Sequence, residues 1–211
     1  DAVQEMVVVA NGANAELGRS GGGFINVITM SGTNALHGSA HYYGQSDAIS
    51  SSLAGVGNPD FTQHQVGLTL GGPLMRDKLF FFVAYDQQIY DQTKQTNANR
   101  FDPLLRAWMD TAFGGALAGD YGPIRRTNNG NVLMAKLDWR LSTSHNFSLK
   151  YNYSNSRQEN GTFDVDTWGR SANAIERDFS HAVNGSLVSL FPSPMPNELR
   201  GQYSREQRPR P

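Results

Sequence analysis

The chain of 211 residues contains no cysteine, which excludes a disulfide framework and any thiolate metal site. It has no run of about 18 apolar residues, so it carries no transmembrane helix. It has no excess charge of either sign: 18 basic and 19 acidic side chains nearly cancel. A nucleic-acid groove needs clustered Lys and Arg, and nucleic acid is therefore not an expected partner. The chain opens at Asp1 with no initiator Met and no signal peptide, and it closes on Arg-Pro-Arg-Pro just after a strand pattern. The expectation is a piece of a larger protein. The missing apolar helix does not exclude a membrane protein, because barrel strands are only ~9–11 residues long and half polar, so hydropathy averages miss them.

What is present is a period of two. Leu133, Ala135, Leu137, Trp139 and Leu141 alternate with Met134, Lys136, Asp138 and Arg140. After five residues the pattern resumes: Phe147, Leu149, Tyr151 and Tyr153 alternate with Ser148, Lys150 and Asn152. Such alternation marks β-strands with one greasy and one wet face. Full charges on the wet face put it in water, and the greasy face ends in aromatics, as in a transmembrane barrel hairpin. A soluble sandwich would alternate as well, so the connections must arbitrate.

Strands are expected at residues 3–10 and 24–30, and then at 37–45, 61–70, 79–88, 131–141, 146–155, 181–190 and 197–205. The 181–190 segment alternates poorly and leaves its register open. The connections at 71–78, 142–145 and 191–197 are short; those at 46–60, 89–130 and 156–180 are long. Barrels of the outer membrane sort their connections this way, with tight periplasmic turns on one rim and extended external loops on the other. The longest loop holds a helical pattern at 103–117, with Pro near its start and Leu104, Leu105, Trp108, Met109 and Ala112 at helical spacing. It is read as a short helix packed on neighbouring loops. Seven barrel strands leave two open edges, which cannot stand in hydrocarbon, so the count fits part of a larger barrel.

Chemical motifs are weak. Gly18-Arg19-Ser20-Gly21-Gly22 matches G-x-S-x-G, but a nucleophile elbow needs a strand before the Ser and a helix after it, and here a loop precedes and a strand follows. The glycines read instead as permitting tight turns, and Arg19 as either solvated or paired with a carboxylate on the barrel wall. Of the histidines His37, His41, His64, His145 and His181, the first two form an i, i+4 pair on one strand face without any HExxH or Cys/His spacing. Asp164 to Gly169 gives D-x-D-x-x-G without the distal Glu of a calcium loop. No enzyme activity, metal or cofactor is expected. Tyr42, Tyr43, Phe81, Tyr85, Trp139, Tyr151, Tyr153 and Tyr203 are expected on the greasy faces or at strand ends, as girdle residues.

The N-terminal segment resembles the end of the plug of TonB-dependent outer-membrane receptors: a strand at 3–9, a small-residue stretch at 15–23, Ile25–Thr29 (INVIT), and Ser31-Gly32-Thr33-Asn34. Ala15-Glu16-Leu17-Gly18-Arg19-Ser20, Leu70-Gly71-Gly72-Pro73, Asp77-Lys78-Leu79-Phe80-Phe81-Phe82, Asn197-Glu198-Leu199-Arg200 and Tyr203-Ser204-Arg205-Glu206 bring it nearest the Oar-like subgroup. The resemblance implies an all-β fold: an antiparallel transmembrane β-barrel fragment, about seven strands of a presumed 22-stranded barrel, after the C-terminal part of a plug domain. It implies plug end at 1–34, barrel at 35–211, and a place in the outer membrane of a Gram-negative-type bacterium. The implied function is movement of a bulky substrate, such as a peptide or protein, across that membrane, with a TonB-type energy-transducing complex and outer-membrane lipid as partners. In this reading Gly18, Arg19, Gly21, Gly22 and Gly23 shape the plug turn. Lys136, Asp138, Arg140, Lys150, Glu198 and Arg200 form the lumen wall against which the plug docks. Two alternatives stand beside it: a surface-exposed binding or adhesion barrel without transport, and a soluble β-sandwich module.

Overall fold

The computed structural model describes residues 2–9, 23–51, 60–94, 102–117, 120, 122–162, 169–191 and 196–209. Two strands, β1 (Val3–Val9) and β2 (Phe24–Thr29), pair antiparallel as a small sheet of their own. The other seven form one sheet in strict chain order: β3 (His37–Ser46), β4 (Asp60–Met75), β5 (Leu79–Lys94), β6 (Ile124–Arg140), β7 (His145–Glu159), β8 (Ile175–Leu190) and β9 (Pro196–Gln207). Every neighbouring pair is antiparallel. A meander of this kind needs only a reversal at each strand end.

The reversals alternate in length, as the sequence predicts, but with shifted borders. The first short turn is only Arg76, Asp77 and Lys78, because β4 continues through Gly71, Gly72 and Pro73 to Met75. Asp77 turns the chain with a left-handed φ of 63°. The second is Leu141 to Ser144; of the third, residues 192–195 lie outside the described residues. The long connections shrink to 47–59, 95–123 and 160–174, because the flanking strands run further than expected. Strands β4 to β8 have 15 to 17 residues. An apolar band ~25 Å tall, crossed at a ~40° tilt, takes up about ten. The surplus of β5 to β8 lies at the long-loop end and is polar there, as in Thr127, Asn128 and Asn129. Alternation fades where both faces meet water, which is why a pattern-based border stops early.

The register sorts side chains onto two faces. One continuous row runs Tyr85, Leu133, Tyr153, His181, and below it Val83, Ala135, Tyr151, Val183, Tyr203, then Phe81, Leu137, Leu149. Leu68 and Leu70 extend it onto β4. We call this face outer. It is apolar and largely uncovered: Leu68, Leu137, Trp139, Leu199 and Tyr203 are exposed. A soluble sandwich would cover such a face with a second sheet; none lies over it among the described residues. The weakly patterned β8 takes its register from its neighbours, with Val183 and Leu187 outward and Ala182 and Val188 inward. Tyr43 departs from expectation. It pairs with Gln65 on the inner face, beside the ring of His41 at 5.2 Å, because Tyr42 already occupies the outward position.

The helix α1 (Pro103–Ala112) forms where expected but ends five residues early. Asp102 caps it by accepting from the backbone N–H groups of Leu104 and Leu105. Gly114 and Gly115, at φ 60° and 77°, turn the chain out of the helix. The helix has no buried residue, and Trp108 meets Phe113 edge to face.

Candidate functional site

The inner face is where the N-terminal segment meets the sheet. Buried there are Phe80, Phe82 and Met134, apolar side chains on the otherwise polar face. Residues 31–34 are fastened beside them. Lys136 Nζ donates to Ser31 Oγ at 2.7 Å, and the Lys136 side chain is 15% exposed. Asn34 Nδ2 donates to Asp77 Oδ1 at 2.6 Å, while the Asp77 backbone N–H donates to Asn34 Oδ1 at 2.9 Å. Gly32 lies so close to the carbonyl oxygens of Phe81 and Gly72 that a Cβ there would overlap both. A side chain at position 32 would therefore push the segment off the wall.

Next to this fastening, a cavity of about 440 Å³ separates Val27, Ile28 and Thr29 of β2 from the wall. Its wall side carries Lys136, Lys150, Glu198 and Arg200. Arg200 donates from Nε and Nη2 to the two carboxylate oxygens of Glu198 at 2.5 and 2.7 Å. Lys136 lies 3.6 Å from Asp138. Lys136 and Lys150 are directly opposite each other across β6 and β7, an arrangement that is unfavourable for like charges unless one is drawn aside. Here Ser31 and Asp138 draw Lys136. A second cavity of about 430 Å³ separates Ser31, Thr33 and Asn34 from Asp138, Arg140 and Phe80, and the Arg140 guanidinium sits 5.4 Å from the Phe80 ring centre.

The six wall residues named from the sequence, Lys136, Asp138, Arg140, Lys150, Glu198 and Arg200, thus share one face and line these two cavities. Of the turn residues, Gly18, Arg19, Gly21 and Gly22 lie outside the described residues; Gly23 is described, with φ 141°. Asp164 to Trp168 of the acidic loop motif also lie outside them.

A further cluster was not foreseen. His41 of β3 reaches across β4 to Asp86 of β5, with Nε2 3.3 Å from Oδ2. Gln65 Nε2 donates to both oxygens of Asp86 at 3.0 and 3.1 Å. The reach works because Gly67 lies between them: a Cβ on Gly67 would fall inside the His41 ring. The arrangement repeats four residues on, where His37 passes Gly71 to approach Phe82, ring centres 6.3 Å apart. The signal in the sequence was a pair of glycines on the polar face of β4, at the same spacing as the two histidines. Among the described residues no set of three or more His, Asp or Glu could hold a metal ion. Beyond the apolar band, Arg125 of β6 forms an ion pair with Asp91 of β5. Hydrogen bonding from Arg125 holds the Asp91 carboxyl below the usual carboxylate range.

Residues 28–119 match the family of the outer membrane beta barrel domain. Over 164 residues the chain is 30% identical to the TonB-dependent transporter Oar of Myxococcus xanthus, covering 71% of this chain. The chain spans 16% of that relative's length. No solved structure matches it. The uncovered apolar outer face, the alternating connections and these two likenesses agree: the chain is a relative of the Oar-like TonB-dependent receptors and forms part of a β-barrel of the outer membrane.

Proposed function

We propose that this chain is the end of the plug and the first seven strands of a transporter that moves a bulky substrate across the outer membrane, with the plug comprising residues 1–34 and the barrel 35–211. The observation that carries the reading is the seating of residues 31–34 on the inner wall, through Lys136 to Ser31 and Asn34 to Asp77. A separate two-stranded unit leads into that seat and stands off from the wall across a cavity lined by charged side chains. Contacts of this kind, few and charged, hold a domain in place while leaving it displaceable. The wall charges Lys136, Asp138, Arg140, Lys150, Glu198 and Arg200 receive the plug, and Gly18, Arg19 and Gly21 to Gly23 shape its last turn. The outer apolar band contacts lipid. The long loops offer the substrate contacts, and a TonB-type complex supplies the force that moves the plug. The likeness to a named transporter supports this role. The work done is passage rather than catalysis, and the substrate class that fits the subgroup is a peptide or protein.

The test is uptake by cells carrying the intact receptor, offered a fluorescent peptide and protein mixture, with and without a protonophore. Surface binding in both conditions, with internalisation only in energised cells, is the expected result. Binding without internalisation in either condition would replace transport with adhesion.

A further inference from the structure

Above the aromatic row, the outer face changes character. Tyr153, His181 and Arg205 stand side by side across β7, β8 and β9. His181 is hydrogen-bonded to Tyr151 and packs edge-on against Phe179 at 4.4 Å, and Phe179 against Tyr153 at 5.5 Å. Two steps further up, Arg157 of β7 is directly opposite Arg177 of β8. Like charges in that position repel, and no bulge relieves the register there. Arg157 has Glu159 beside it, its own side chain remaining 43% exposed. Among the described residues, neither Arg177 nor Arg205 has a carboxylate partner. Asp91 answers Arg125 on the same face. The outward charges of this collar are therefore Arg125, Arg157, Arg177 and Arg205 against Asp60, Asp91 and Glu159, with Asp60 on β4, at the far side from Arg177 and Arg205.

Height identifies the occupant. The collar lies at the long-loop end, hence toward the outer leaflet, and it begins where Tyr151, Tyr153 and Tyr203 end the apolar band. That is the level of lipid headgroups. A phosphate bridging two guanidiniums turns a repulsive pair into charge-assisted hydrogen bonds. We propose that Arg157 and Arg177, with Arg205 and His181 at the lower edge, form a site for the phosphate of an anionic lipid in the outer leaflet. The inference rests on the membrane-spanning reading of β3 to β9.

The test uses the intact receptor in phosphatidylethanolamine nanodiscs, with lipid A, dephosphorylated lipid A or inorganic phosphate added. Lipid A is expected to raise the melting temperature, and the double variant R157Q/R177Q to weaken that response about tenfold. R177K, which keeps the charge, retains most of it. R177E, which supplies Arg157 with a protein carboxylate, raises stability without lipid A and abolishes the response. An equal response in wild type and R177E, or to dephosphorylated lipid A, overturns the site. An equal response to inorganic phosphate overturns the lipid as its source. Failure of the wild type to insert into nanodiscs at all would instead strike the membrane-spanning reading.

Discussion

At the scale of single residues, glycine positions decide which side chains can meet. Gly67 makes room for the His41 ring on its way to Asp86. Gly67→Val should displace the ring, break the His41–Asp86 contact and cost ~1–3 kcal/mol. Gly185 makes the control, since a Cβ there meets nothing within 4 Å. Gly185→Ala should change stability by less than about 0.5 kcal/mol. Urea unfolding of the intact receptor in detergent, followed by tyrosine and tryptophan fluorescence, measures both. Asn34→Ala removes two hydrogen bonds to Asp77 and should cost ~1 kcal/mol. More tellingly, it should speed proteolysis within residues 23–36 without affecting β4 to β8.

At the scale of elements, strand length is the informative feature. β5 and β6 extend together beyond the apolar band, tied there by Arg125 and Asp91. The Asp91 carboxyl titrates lower in the folded chain than in the unfolded one. The pair therefore contributes above the ordinary Asp pKa of about 3.9 and is lost as pH falls through the depressed folded value. Amide protection factors of residues 89–94 and 124–130, taken relative to the unfolded chain at the same pH, should fall on acidification below about pH 4, and Asp91→Asn should show the lower protection already at neutral pH. These extensions are also where the sequence was hardest to read. Within the band, one apolar face and one polar face write the alternation into Leu133 to Trp139 and Phe147 to Tyr153, and the strands there could be placed. Above it, Asn128, Asn129 and Ser156 face water on both sides, and nothing in a two-residue period tells such a strand from a loop. The inward direction of Lys136, Asp138 and Lys150 was legible because, within the apolar band, a full charge on an alternating strand has only one wet direction. The Asn34–Asp77 and His41–Asp86 contacts join residues more than 40 positions apart, and only the strand register brings them together.

At the scale of the whole molecule, burial is inverted relative to a soluble domain. The buried apolar side chains among the described residues include Phe80, Phe82 and Met134 on the inner face, while Leu68, Leu137, Leu199 and Tyr203 on the outer face are uncovered. In the proposed reading, lipid supplies the missing layer. Leu149→Arg on the outer face of β7 should cost ~2–4 kcal/mol in a bilayer, whereas Asn152→Arg on the inner face should cost far less. Folding yield into vesicles measures the difference.

The direct test of this two-faced sheet is a spin-label scan of β7. This chain has no cysteine of its own, so cysteines placed one at a time from position 147 to 153 report single sites within it. In the bilayer-embedded receptor, labels at 147, 149, 151 and 153 should collide with lipid-dissolved oxygen, and labels at 148, 150 and 152 should be shielded from it. A profile without a period of two, or with the opposite phase, would contradict the account.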